Sequence, residues 1–111
     1  MGNPRNHNGS ARRNLRRRLK AEQRECWICR EFGRGAVIDY SLPAGHPLSF
    51  EVDELIPVSK GGNPLSYSNV DAAHRWCNQW RGNKSVDEVL RIAHGTAHEP
   101  TPADEQTSRE W

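Results

Sequence analysis

Apolar residues are scarce in this chain of 111 residues: hydrophobic side chains make up 34% of it and its mean hydropathy is −0.92. So little apolar material builds only a thin core, and small domains of that kind lean on a metal ion or on disulfides. Cysteine is also scarce. There are three, an odd number, and the polar, basic N-terminus has no apolar stretch of the signal-peptide type. Both features argue against an extracellular disulfide framework and for metal ligation in a reducing cytoplasm. No run approaches the ~18 apolar residues of a membrane span. The expectation is one soluble, cytoplasmic domain.

Charge is present but unevenly spread. The net value is only +2, yet residues 1–25 carry eight of the sixteen Lys and Arg against two acids, Glu22 and Glu25. The rest carries eight bases against twelve acids. A basic arm on a mildly acidic body suits a polyanionic partner, of which nucleic acid is the commonest, or serves as a solubilising tail. Residues 1–9 read as disordered. From Ser10 a basic helix is expected through Glu25, with only Leu15 and Leu19 on its apolar stripe. The chain divides into an N-terminal arm over 1–24, a folded domain over 25–95 and a disordered acidic tail over 96–111.

Within the domain, Phe50–Ile56 alternates partly and ends at Pro57, which marks a short strand. The thirteen residues 57–69 are rich in Gly, Pro, Ser and Asn and read as a loop. Loops of that length in small domains are often functional. Val70–His74 is the candidate partner strand and Arg75–Asn83 a helix. Ser85-Val-Asp-Glu88 has the form of a capping box. Val86, Val89, Leu90 and Ala93 then give helical spacing, stopped by Gly95.

Cys26-x-x-Cys29 and His74-x-x-Cys77 have the spacing of two halves of a zinc knuckle, with Gly33 and Gly35 allowing tight turns beside the first. Three thiolates and an imidazole suit a tetrahedral structural zinc. A redox pair, or cysteines that are simply buried, are the competing accounts.

Between and beyond these halves the chain reads Phe50-Glu-Val-Asp53-Glu54-Leu-Ile-Pro57, then Gly61-Gly62, Asn69, and His74-Arg-Trp-Cys77-Asn78 through Arg81-Gly82-Asn83-Lys84. Residues 26–84 thereby resemble the HNH endonuclease family, especially its short phage-type members. The resemblance implies an α+β, zinc-stapled ββα-metal (His-Me finger) fold that hydrolyses phosphodiester bonds in double-stranded DNA. It implies Asp53 and Asn78 as ligands of a catalytic Mg²⁺ or Mn²⁺, Asn69 as the central Asn that spans the loop and orients the base, and Gly61 and Gly62 as the loop turn. The phage-type members also suggest a place in DNA packaging or processing, beside packaging machinery.

Glu54 departs from the pattern, standing where the family has the histidine that activates water. The chemistry needs a cation to neutralise the scissile phosphate and a base to deprotonate water. A carboxylate and an amide oxygen suit a hard cation. Glu54 then reads in three ways: as the base, as a second anionic ligand, or as a change that leaves a DNA-binding module without cutting. His46, eight residues earlier, is a loop histidine.

For holding DNA, Arg75, Arg81 and Lys84 are expected at phosphates beside the cut, and Arg12, Arg13, Arg16, Arg17, Arg18 and Lys20 form a second contact surface. Such contacts add affinity without sequence choice. Trp76 and Trp80, four apart, share a face expected to bury against Trp27 and the zinc site. No feature reads bases, so cleavage is expected to be weakly sequence-specific or nicking.

Overall fold

A computed structural model describes residues 4–95, with side chains from residue 9 onward; the expected acidic tail lies outside the described residues. The first helix, α1, spans Pro4–Ala21. It starts well before Ser10, because Pro4 stands at the first helical position, where its fixed φ fits and its missing N–H costs nothing. From Pro4 onward the chain is helical where the sequence predicts disorder; residues 1–3 lie outside the described residues.

Helix α1 is docked through its C-terminal half. Leu19 is fully buried and Leu15 packs partly against the core. Beyond the helix, Arg24 Nε and Nη2 donate to Asp71 Oδ1 at 3.2 and 3.0 Å, and Arg24 Nη1 donates to Tyr67 Oη at 3.2 Å. Tyr67 Oη in turn donates to Glu22 Oε1 at 2.6 Å, and the Arg18 guanidinium lies 3.5 Å from the Tyr67 ring centroid. An arm ending at residue 24 is thus not a separate unit in packing.

A second helix, α2 (Trp27–Phe32), forms inside the cysteine knuckle. Cys26 caps it, its sulfur accepting from the Cys29 N–H, and Gly33 closes it at φ 70°. Strand β1 (Phe50–Glu54) pairs antiparallel with β2 (Val70–His74), in a register that sets Phe50 opposite His74 and Glu54 opposite Val70. Helix α3 (Arg75–Arg81) follows β2 directly and stops at Gly82. Helix α4 (Val86–Ala93) begins where Ser85 Oγ accepts from the Glu88 N–H at 3.0 Å. Its Val89 is fully buried. The core is small, made largely of Leu19, Ile28, Phe50, Val70, Val89 and the three cysteines. Among the described residues, no helix is long and apolar enough to cross a membrane.

The segment from 55 to 69 is ordered by one side chain. Asn69 Oδ1 accepts from the Ile56 N–H at 2.9 Å, while its Nδ2 donates to the carbonyls of Ile56 and Asn63 at 2.9 and 3.1 Å. Single 3₁₀ turns at Val58–Lys60 and Tyr67–Asn69 fill the ends of the loop. Gly61 turns the chain at φ 90°. Gly62 is required for a different reason: a Cβ there would lie 1.7 Å from the Ile56 carbonyl oxygen and 2.9 Å from Asn69 Nδ2.

Gly62→Ala must therefore displace backbone and break the Asn69 clamp, at a cost of ~3 kcal/mol. Gly61→Ala meets open space and carries only the left-handed penalty of ~1 kcal/mol. Thermal unfolding of the two variants should rank them in that order; equal shifts would show that the Ile56 contact does not constrain position 62.

Candidate metal centre and adjoining cleft

Two short segments supply four ligands. Cys26 and Cys29 sit at the start of α2, His74 ends β2, and Cys77 lies in α3. All four residues are buried, and their ligand atoms lie within 4.8 Å of one another. Tetrahedral zinc with Zn–S near 2.3 Å requires ligand atoms roughly 3.8 Å apart. Cys29 Sγ is 3.4 Å from both His74 Nδ1 and Cys77 Sγ, and Cys77 Sγ is 3.9 Å from His74 Nδ1. The group can hold a structural zinc. The cysteines are free thiols rather than a disulfide pair.

The surroundings favour ligation too. His74 Nε2 lies 3.3 Å from the Val37 carbonyl; donation there fixes the proton on Nε2 and leaves Nδ1 bare toward the sulfurs. Hydrogen bonding with Cys77 pulls the Cys26 thiol down to about 5 against the effect of burial, helped by the Cys29 and His74 backbone. The same shared contact, together with burial, pushes the Cys77 thiol up.

Arg34 is a participant that the sequence reading missed. Its Nε donates to Cys29 Sγ at 3.4 Å and its Nη2 to Cys77 Sγ at 3.9 Å. Its guanidinium lies 4.7 Å from the ring centroids of both Phe32 and Trp76. Three thiolates around a zinc dication would leave one negative charge in excess, and Arg34 is placed to offset it. The available signal was an arginine five residues after Cys29, with an aromatic residue at 32 and another between the later ligands. Trp76, expected to bury against Trp27, instead keeps 37% of its surface exposed beside Arg34. Trp80 packs edge-on against Phe32 at 5.6 Å between centroids.

Beside this centre, β1 and α3 enclose a cleft of about 190 Å³ lined by Asp53, Glu54, Asn78 and Arg81, with Val52 and Pro57 at its edges. Asp53 faces inward, where its Oδ2 accepts from Trp27 Nε1 at 2.8 Å and from Arg81 Nη1 at 2.7 Å. Burial pushes its carboxyl above the ordinary value, while the Arg81 and Trp27 contacts pull the other way. Glu54, next along the strand, leans toward α1 and pairs with Arg12 at 3.6 Å. Asn78 Nδ2 donates to Glu51 Oε1 at 3.0 Å, leaving the amide oxygen as the atom able to accept or ligate. Glu51 also accepts from Arg75 Nη1 at 3.0 Å; it lies two residues before Asp53 on the same strand face, a position that alternation alone would have marked.

The expected cationic grip on α3 needs correcting. Arg81 is 3% exposed. Besides Asp53, it donates to the carbonyls of Glu54, Leu55 and Lys84 at 3.0, 2.6 and 2.9 Å. Its donors face inward because α3 ends against the exit of β1, so it cannot reach out to a phosphate. Arg75 is tied to Glu51, and Lys84 donates to the Trp80 carbonyl at 3.1 Å and lies 4.5 Å from that ring centroid. On α1, Arg12, Arg13, Arg17 and Lys20 are exposed, with only local or marginal partners for the arginines. Arg16 lies over the Phe50 ring, and Arg18 over Tyr67. His46 accepts from the Leu48 N–H at 3.0 Å within its own loop and does not line the cleft.

Two outcomes are expected of the centre. With the Cys26 thiol pulled down to about 5, zinc uptake at pH 7 is expected to release fewer than three protons, measurable with a pH indicator in weak buffer; release of three would place a proton on Cys26. Arg34→Gln should raise the rate of zinc transfer to a chromogenic chelator about tenfold, as loss of an outer-sphere partner does elsewhere, with Arg34→Lys in between. An unchanged rate would mean that the sulfurs do not use the guanidinium.

Compared with known proteins, the chain matches no family model, no curated protein and no solved structure.

Proposed function

We propose that this chain is a metal-dependent DNA endonuclease of the HNH type, built on a zinc-stapled ββα-metal domain. The observation that carries the reading is the cleft in which Asp53, Glu54 and Asn78 meet, formed where β1 crosses α3 beside the Cys3His group. The order strand, loop, strand, helix, with ligands at the second strand's end and in the helix, agrees with it. In this reading zinc fixes the scaffold and takes no part in the chemistry.

The hard-cation site would consist of the Asp53 carboxylate and the Asn78 amide oxygen. Asp53 fits in part, since Oδ2 already takes two hydrogen bonds and Oδ1 is the oxygen left to ligate. A Mg²⁺ or Mn²⁺ held there supplies charge neutralisation at the scissile phosphate and acidifies its water. Glu54 holds the proton taken from the attacking water. Asn69 acts one step removed, by holding the chain after Glu54 in place. The exposed cations of α1 grip the duplex backbone, so affinity falls with salt and sequence preference stays low. A nuclease of this kind belongs with DNA packaging or processing, phage packaging included.

A second reading, a DNA-binding module without hydrolysis, draws on one observation: Arg81 neutralises Asp53 in the buried pair. Incubation of supercoiled plasmid with Mg²⁺, Mn²⁺ or EDTA separates the two. Asp53→Ala is a poor probe because it strands the buried Arg81 charge. The decisive variant is Glu54→Gln, whose side chain is partly exposed and whose loss leaves the fold alone. Metal-dependent nicking that falls ~10²–10⁴-fold in Glu54→Gln is expected for loss of a general base. Intact binding with no nicking under any metal would establish the binding module.

A further inference from the structure

On the other side of Glu54 lies a second cavity, between α1 and β1, with a volume of about 210 Å³. Its floor is aliphatic, made by Leu15, Val52 and Pro64, and its rim carries Arg12, Arg13 and Arg16. Val52 and Glu54 line this cavity and the cleft of Asp53 and Asn78 alike. The two hollows are therefore neighbours along one edge of β1, with Glu54 on the ridge between them.

The lining chemistry narrows the occupant. A volume under the ~300 Å³ at which pockets for whole small ligands begin suits one unit of a longer chain. Three guanidiniums against one carboxylate select an anion, and planar forks match phosphate oxygens. The aliphatic floor asks for an apolar body beside that anion. Among the described residues no aromatic ring lines the cavity, and those residues offer no platform for stacking a base.

We infer that the α1–β1 cavity is a subsite for one deoxyribose-phosphate unit of the DNA strand, next to the bond that is cut. The sugar rests on Leu15, Val52 and Pro64, and the phosphate meets the arginine rim. A ribose would bury its 2′-hydroxyl against aliphatic carbons, which is unfavourable for an unpaired polar group. The cavity thereby distinguishes DNA from RNA while ignoring sequence. Arg12, paired with Glu54 at 3.6 Å in the free protein, exchanges that partner for the incoming phosphate. The Glu54 carboxylate then faces the cleft unpaired only when a strand is in place. This assignment rests on the nuclease reading for what lies in the neighbouring cleft, but the sugar preference is measured without cleavage.

The test is fluorescence anisotropy on the full zinc-loaded chain without Mg²⁺, using a labelled thymidine deoxy-octamer and the ribo-octamer of the same base. The deoxy-octamer should bind about fivefold more tightly, the effect of one poorly partnered hydroxyl. Val52→Thr, nearly isosteric, and Pro64→Ser, on the loop, each bring a hydroxyl to the floor and should at least halve that preference. Arg13→Gln should weaken both octamers alike. Equal affinity for the two sugars, absence of binding, or a preference unmoved by both floor variants overturns the subsite, whether or not plasmid is nicked. A sugar preference that responds to the floor variants in a protein that never nicks plasmid keeps the subsite and removes the hydrolytic reading.

Discussion

Residues 26–29 and 74–77 are far apart in the chain, yet four of their side chains meet within a few ångströms. The rest of the domain depends on that meeting. Cys26 caps α2, His74 ends β2 and Cys77 anchors α3, so one cluster fixes the relative placement of a strand and two helices. The apolar core around it is too small to do this alone. In small modules of this type the metal contributes on the order of 10 kcal/mol to folding. The fully buried side chains belong to one cluster with the three cysteines, which makes the core an extension of the Cys3His group.

From this scaffold the neighbouring chemistry follows by geometry. Strand β1 is pinned to β2, so alternation sends Asp53 inward to Trp27 and Arg81 and turns Glu54 toward α1. Helix α3 leaves β2 without a linker, which brings Asn78 to the same opening. The loop between the strands would be free to wander, but Asn69 joins its two ends and Gly62 lets them touch. The opening is thus lined by β1, by the loop at Pro57 and by α3, parts tied to one another through these contacts. Helix α1 lies beyond Glu54, against the neighbouring cavity, held by Leu19 and by the Arg24, Asp71 and Tyr67 cluster.

Much of this was legible in the sequence, for identifiable reasons. Strand β2 and helix α4 are read correctly because Val70–His74 follows a loop rich in Gly, Pro, Ser and Asn and Ser85 with Glu88 forms a strong start signal. The four ligands are read from spacing alone, since CxxC and HxxC leave few other uses. Asn69 and the glycine pair stand out through the family resemblance, and the loop hydrogen bonds are consistent with it. What the sequence hides is which cations are spent internally. Arg81 and Arg75 look like neighbours of Lys84 on a basic helix, and nothing local shows that Asp53 and Glu51 lie underneath. Arg34 is hidden for the same reason, as its partners are sulfurs far away in the chain. Helix α2 is too short to produce a period, and the early start of α1 depends on Pro4 rather than on Ser10.

The way Arg81 is held has a consequence for acid conditions. Among the described residues, one of its hydrogen bonds is to a carboxylate and the others are to the main-chain carbonyls of Glu54, Leu55 and Lys84, with the Trp27 ring 5.5 Å from the guanidinium. Carbonyl oxygens do not titrate. When protons neutralise Asp53, the guanidinium loses its counter-charge but keeps its grip on the backbone where β1 ends. The end of α3 and the end of β1 keep these main-chain bonds, so what acid takes from the opening first is the compensation of a buried positive charge.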